Sequence, residues 1–197
     1  MTARLVVLIS GNGSNLQAIL DACARNELPS GVVAVISNKD SAYGLIRAQK
    51  AEVPAIHFPK RADETRCDYD TRLAEEVARH QPDYIILAGW MRLLTAAFLD
   101  HFSERVINLH PALPETFPGT HAIERAYESW QRGEIDRSGV MVHLVPDEGV
   151  DNGPVLATQE IFFRIGETLD EFEARIHKAE HNLLIATIKS TIINQKS

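Results

Sequence analysis

"RLVVLISGNGSNLQAIL", residues 4–20, decides the fold. Leu5-Val6-Val7-Leu8-Ile9 reads as a buried strand. Ser10-Gly11-Asn12-Gly13 is turn chemistry, and Leu16, Ile19, Leu20 and Cys23 then fall on one face of a helix running from Leu16 to Asn26. Strand, glycine turn and helix in that order open a parallel βαβ unit.

The pattern repeats along the chain. Val32 to Ile36 is a strand and Tyr43 to Ala51 a helix; Pro54 to Phe58 is a strand and Glu64 to His80 a helix, with Leu73, Val77 and Ala78 facing inward. Tyr84 to Ala88 and Val106 to His110 are strands, separated by a short helix at Ala96 to Phe102, and another helix covers Ala122 to Arg132. After that the period changes. Val140 to Val145 and Val155 to Phe163 lie close together across a glycine-containing link, which suits neighbouring antiparallel strands. Thr168 to Ile193 closes the chain as a long helix, begun by a capping-box pattern of Thr168 with Glu171. The predicted fold is α/β: an open, mostly parallel, doubly wound sheet with flanking helices, forming one domain over residues 1–197.

Composition narrows the function classes. The 197 residues carry Lys+Arg 20 against Asp+Glu 27, a net charge of −7, which argues against general nucleic-acid or membrane-surface binding. Cys23 and Cys67 form no Cys-x-x-Cys pair, so a disulfide framework or zinc ribbon is not expected and a reducing cytoplasm fits. Met1 runs through Thr2-Ala3-Arg4 into strand one with no signal-peptide pattern, and no apolar run approaches the roughly 18 residues of a membrane helix.

Sheets of this kind bind ligands at the carboxyl ends of their strands, and the motifs fall there. In Ser10-Gly11-Asn12-Gly13-Ser14-Asn15-Leu16 the glycines let backbone approach an anion, and the helix start offers free N–H groups. Leu16 replaces the third glycine of a dinucleotide fingerprint, and the lysine of a P-loop is absent, so the functional reading is a monophosphate site. The structural reading is a tight turn with Ser14 or Asn15 as N-cap.

Asn108 and His110, two apart on a strand, share a face. Pro111 holds His110 extended, and a proline-bounded loop follows through Thr120-His121. An amide can donate to a developing oxyanion and a histidine can move a proton near neutral pH, a combination suited to attack on a carbonyl. The plainer reading is a strand-end pair satisfied by backbone.

The turn Pro146-Asp147-Glu148-Gly149-Val150-Asp151-Asn152-Gly153-Pro154 carries three carboxylates. It reads as a solvated turn, or as the means of bringing Asp151 to a histidine, where it would raise the imidazole pKa. His177 and His181 lie four apart, but without the His-Glu-x-x-His order they read as a solvated helix face and no metal site is expected. His121 and His143 read as structural or site-lining. Arg66 and Arg92 could anchor an acidic ligand or lie on the surface.

These pieces, together with "LAGWMRLL", "INLHPALPETFPGTH", "VDNGPV" and "KAEH", resemble the phosphoribosylglycinamide formyltransferases, folate-dependent enzymes of purine synthesis, over nearly the whole chain. The resemblance implies a formyltransferase fold. It implies 10-formyltetrahydrofolate as co-substrate, glycinamide ribonucleotide as acceptor, no metal, and a cytoplasmic monomer or homodimer. It assigns Gly13, Ser14 and Asn15 to the acceptor's phosphate, Glu180 to its ribose, and Gly11 and Asn12 with them to the acceptor site. Met91, Arg92, Leu93 and Leu94 become the folate wall, with Arg66 near the folate tail and Asp147 in the turn that closes over the pteridine. Asn108 also touches the folate, and Asn108, His110 and Asp151 form the catalytic trio, in which Asn108 and protonated His110 stabilise an oxyanion while Asp151 keeps His110 charged. Formyltetrahydrofolate hydrolases share this logic but transfer to water and usually carry a further N-terminal domain. Methionyl-tRNA formyltransferases share the fold but need a basic RNA-binding domain. A non-catalytic nucleotide-binding module is the reading from outside the enzymes.

Overall fold

The computed structural model describes residues 2–194, so the predicted bounds 1–197 run past it at both ends. In chain order the elements are β1 (Ala3–Ile9), α1 (Ser14–Ala24), β2 (Ser30–Ser37), α2 (Tyr43–Lys50), β3 (Ala55–His57), α3 (Arg66–Arg79), β4 (Tyr84–Leu87), α4 (Ala96–Leu99) with a 3-10 turn at Asp100–Phe102, β5 (Val106–His110), α5 (Ala122–Gln131), β6 (Arg137–Leu144), β7 (Val155–Phe162) and α6 (Leu169–Asn194). They build one 7-stranded sheet in the order β3-β2-β1-β4-β5-β6-β7. The first five strands pair in parallel. The last two join antiparallel.

The apolar runs of β1 and β4 follow from cover on both faces of the sheet. Leu5, Val7 and Ile9 pack on one side with Leu16 and Ile19 of α1 and Ile176, Leu184 and Ile188 of α6. Val6 and Leu8 pack on the other with Tyr69, Leu73 and Val77 of α3 and with Phe98. Successive residues of one strand thus serve two cores.

Some local expectations are corrected. Ala78 is exposed and Ala74 is buried instead, because α3 presents the turn of Leu73, Ala74 and Val77 to the sheet. Helix α1 is capped by neither Ser14 nor Asn15. Its N-cap is Gly13 at φ 76, with no side-chain cap bond. A Cβ on Gly13 would stand 2.8 Å from the Gly44 Cα, so glycine is required by backbone shape and by close approach alike. The Thr168–Glu171 capping box forms as read, and a second one joins Thr65 and Asp68 at α3. β6 begins at Arg137, earlier than its apolar run. Gly139 allows this, since a Cβ there would meet the Gln159 carbonyl oxygen of β7.

Strand order reverses around β1 and β4. The crevice beyond their carboxyl ends is where such a sheet takes ligands, and β5 ends beside it.

Candidate active site

A cavity of about 990 Å³ occupies that crevice. Its walls come from the glycine turn after β1, the segment after β4, the end of β5, the acidic turn between β6 and β7, and α6. Gly11 through Asn15, Met91 through Leu94, Asn108, His110, Asp147, Asp151 and Glu180 all line it. Arg66 is the exception among the predicted site residues. It is exposed at the start of α3, donates from Nε to the Leu93 carbonyl at 3.3 Å, and lies 3.9 Å from Glu148, so it supports the wall from behind. A second cavity of about 600 Å³ between β7 and α6 includes none of these residues.

At the centre, β5 presents Asn108 and His110 to one side, as the two-residue period requires. Asp151 reaches them from the acidic turn at φ 51, a left-handed conformation that Asp and Asn tolerate best among branched and long residues. Asn108 Nδ2 donates to Asp151 Oδ1 at 2.9 Å. Asp151 Oδ2 accepts the Gly119 N–H at 2.9 Å and stands 3.2 Å from His110 Nδ1. The carboxylate therefore ties β5, the proline-bounded loop and its own turn together.

His143 is the residue whose closeness to the trio the sequence hid. In the antiparallel register it lies opposite Asn108. Its Nδ1 is 2.8 Å from the Leu144 carbonyl, so Nδ1 carries the proton and Nε2 accepts from Asn108 Nδ2 at 3.1 Å. Both protons of the Asn108 amide are then committed, one to Asp151 and one to His143. His121, expected to be structural or site-lining, is exposed at the start of α5 and lines the mouth of the cavity.

The electrostatics correct the expectation that Asp151 keeps His110 charged. His110 is 4% exposed, and burial pushes its imidazole below the ordinary pKa of 6.5. Asp151 and the Phe117 carbonyl, 3.1 Å from Nε2, push upward but do not win. Burial also works to raise the Asp151 carboxyl, yet the His143 ring, its Nε2 3.5 Å from Oδ1, and the Gly119 N–H bring it below its usual value. Both groups of the pair are thus pushed toward their unprotonated forms. Even so, both ring nitrogens face acceptors, Asp151 and Phe117, an arrangement that only the imidazolium satisfies in full. The Phe117 oxygen has another donor in Arg125, at 2.8 Å.

Across the cavity, the glycine turn is braced by a residue that drew no notice in the sequence. Arg47 of α2 donates to the Asn12 carbonyl at 2.9 Å and to its Oδ1 at 2.9 Å. Glu180 is buried at 5% exposure, with His177 Nδ1 2.6 Å away. That bond, and the weaker one to Glu173, hold His177 above its ordinary pKa against burial. His177 lines the cavity, with 42% of its side chain still exposed as a solvated helix face requires. Among the described residues no group of three or more His, Cys, Asp or Glu side chains is placed to hold a metal ion, and no helix is long and apolar enough to cross a membrane.

Such a site has a phosphate-sized glycine turn, an apolar wall, and amide, imidazole and carboxylate groups between them, and it can carry acyl chemistry between two substrates. Comparison with known proteins agrees. The formyl transferase family model matches residues 3–188. The chain is 44% identical to a phosphoribosylglycinamide formyltransferase of Dictyostelium discoideum, over 96% of this chain and 98% of that one. It is 42% identical to one of Schizosaccharomyces pombe, over 100% of both chains. The crystal structure of glycinamide ribonucleotide transformylase 1 from Symbiobacterium toebii superposes with a TM-score of 0.89 at 38% identity, covering 95% of this chain and 86% of that one. The chain belongs to the formyl transferase family, among its phosphoribosylglycinamide formyltransferases.

Proposed function

We propose that the protein, acting as one formyltransferase domain, moves the formyl group of 10-formyltetrahydrofolate to the amine of glycinamide ribonucleotide in purine synthesis. The observation that carries the reading is the joining of Asn108, His110 and Asp151 by contacts of 2.9 and 3.2 Å on the floor of a cavity whose opposite walls suit a phosphate and a flat apolar ligand.

Each group has a role. Gly11 to Asn15 take the phosphate with backbone N–H groups at the start of α1. Glu180, fixed by His177, takes the ribose hydroxyls. Met91 to Leu94, with the turn containing Asp147, hold the folate. Attack of an amine on a formyl carbon places negative charge on oxygen and surplus protons on nitrogen. His110, neutral at rest, takes a proton as the amine attacks. The imidazolium so formed meets the two acceptors already aimed at it, and it then returns the proton to the leaving nitrogen. Asp151 stabilises that charge only when it appears, which favours the transition state over the ground state. Asn108 gives one of its amide protons to the oxyanion, exchanging a resting partner for it. None of these roles calls for a metal.

The test is direct. Incubation with both substrates should release deformylated folate in proportion to formylated acceptor. Release without acceptor would indicate transfer to water and favour a hydrolase, and no release at all would favour a binding module.

A further inference from the structure

The wall assigned to the folate has an unusual support. Among the described residues, Trp90 to Leu94 make no backbone–backbone hydrogen bond. Trp90 and Leu94 are buried at its ends while Met91 and Leu93 are exposed between them, and side chains take the place of backbone partners here. Met91 N–H donates to Ser10 Oγ at 2.8 Å, and Leu93 O accepts from Arg66 at 3.3 Å. At the far end Thr95 N–H donates to Asp70 Oδ2 at 2.7 Å, the shortest of the three. Asp70 projects from α3 and is fully buried. A buried carboxylate is costly to keep, and this one has no hydrogen-bond partner at its Oδ1. Arg92 Nε and Thr95 Oγ1, at the wall itself, are buried without partners as well. The Thr95 N–H is the backbone group Asp70 holds, and the charges of Arg66 and Arg92 face it as well. Its lever is specific, because Thr95 is where the irregular wall passes into α4.

We propose that Asp70 is a positioning residue that sets the shape of the cavity wall from Trp90 to Leu94 and thereby the affinity for the formyl donor, leaving the acceptor site and the chemical step alone. The proposal rests on the assignment of that wall to the folate. Asp70 touches neither substrate. It acts through one backbone proton, so its oxygen matters and its charge does not.

Steady-state kinetics on purified variants tests this. Asp70→Ala should raise KM for 10-formyltetrahydrofolate by up to about tenfold, the usual scale for one lost hydrogen bond. KM for glycinamide ribonucleotide and kcat should stay within about twofold. Asp70→Asn keeps an oxygen for Thr95 and should recover most of the donor affinity. If the alanine variant does not fold, Asp70→Ser carries the same expectation, since its hydroxyl is too short to reach. A rise in both KM values together, or an asparagine variant as impaired as the alanine one, overturns the proposal. A wild-type protein that transfers no formyl group overturns instead the functional reading on which it rests.

Discussion

Asp151→Asn gives a sharp test of the proposed chemistry, because asparagine is the least strained replacement at φ 51. The carboxylate uses both oxygens on donors: Oδ1 on Asn108 at 2.9 Å, and Oδ2 on the Gly119 N–H at 2.9 Å with His110 Nδ1 at 3.2 Å. An amide has one oxygen. Whichever way it turns, its NH₂ faces a donor, so one charge-assisted bond is lost and one donor is stranded. That is worth about 1.5–3 kcal/mol, or roughly 10- to 150-fold in kcat/KM. The pH dependence carries the mechanism. His110 must be neutral to take a proton, so its protonation sets the acid limb, below the ordinary histidine value. Asp151 raises that pKa, and removing its charge lowers it further, so the acid limb should move to lower pH while the plateau drops. Rates measured from about pH 5 to 9, with NMR titration of His110 in both proteins, would show it. An unchanged or higher His110 pKa in the variant would refute the coupling, and so would a full-rate plateau. In a His110→Ala background the added Asp151→Asn should cost little, since the two act as a unit.

Further outcomes follow from the geometry. A Cβ on Gly11 meets nothing within 4 Å of the fold but lines the cavity, so Gly11→Ala should raise KM for glycinamide ribonucleotide at unchanged melting temperature; an effect on the folate KM instead would misplace the phosphate. Gly13→Ala should cost about 1–3 kcal/mol of stability, read by denaturant midpoint, because φ 76 and the Gly44 backbone both oppose it; a neutral result would show the turn to be plastic. Asn108→Ala should lower kcat by about 10²–10³-fold with the fold intact, and near wild-type turnover would remove its oxyanion role. Exhaustive chelation should leave activity whole; a loss that zinc alone restores would refute that outcome.

The sheet was legible because the strands of a doubly covered layer must be apolar, and the runs in β1, β2 and β4 are. Element ends were less so. The start of β6 at Arg137 is fixed by pairing with β7 and by the missing Cβ of Gly139, neither of which hydropathy records. The anion turn and the Asn108–His110 pair stood out from local chemistry. The closeness of His143 and Asp151 to that pair did not, since it depends on the β5–β6 register and on the path of a turn, both set by tertiary packing. The pKa of His110 was misjudged for a related reason: the neighbouring carboxylate is implied by family resemblance, but the depth of burial that outweighs it is visible only in three dimensions. Asp70 draws no notice in the sequence and Ser10 reads only as part of the glycine turn, because nothing in one dimension distinguishes a surface hydroxyl or carboxylate from one that replaces a missing backbone partner.

The antiparallel junction of β6 on β5 also sets a timetable. A chain emerging from the ribosome with β5 just complete already owns the glycine turn after β1, the cavity wall after β4, Asn108 and His110. It still lacks His143, Asp151 and Glu180, and it lacks α6, whose apolar residues complete the core over β1. The last strands and helix must dock before the half-built site acquires its counter-charge, and domains of this size commonly assemble through such intermediates. Turnover is then a clock for the final docking event. During refolding it trails the appearance of helix and strand, and it separates chains that have merely collapsed from those whose two halves have met in register.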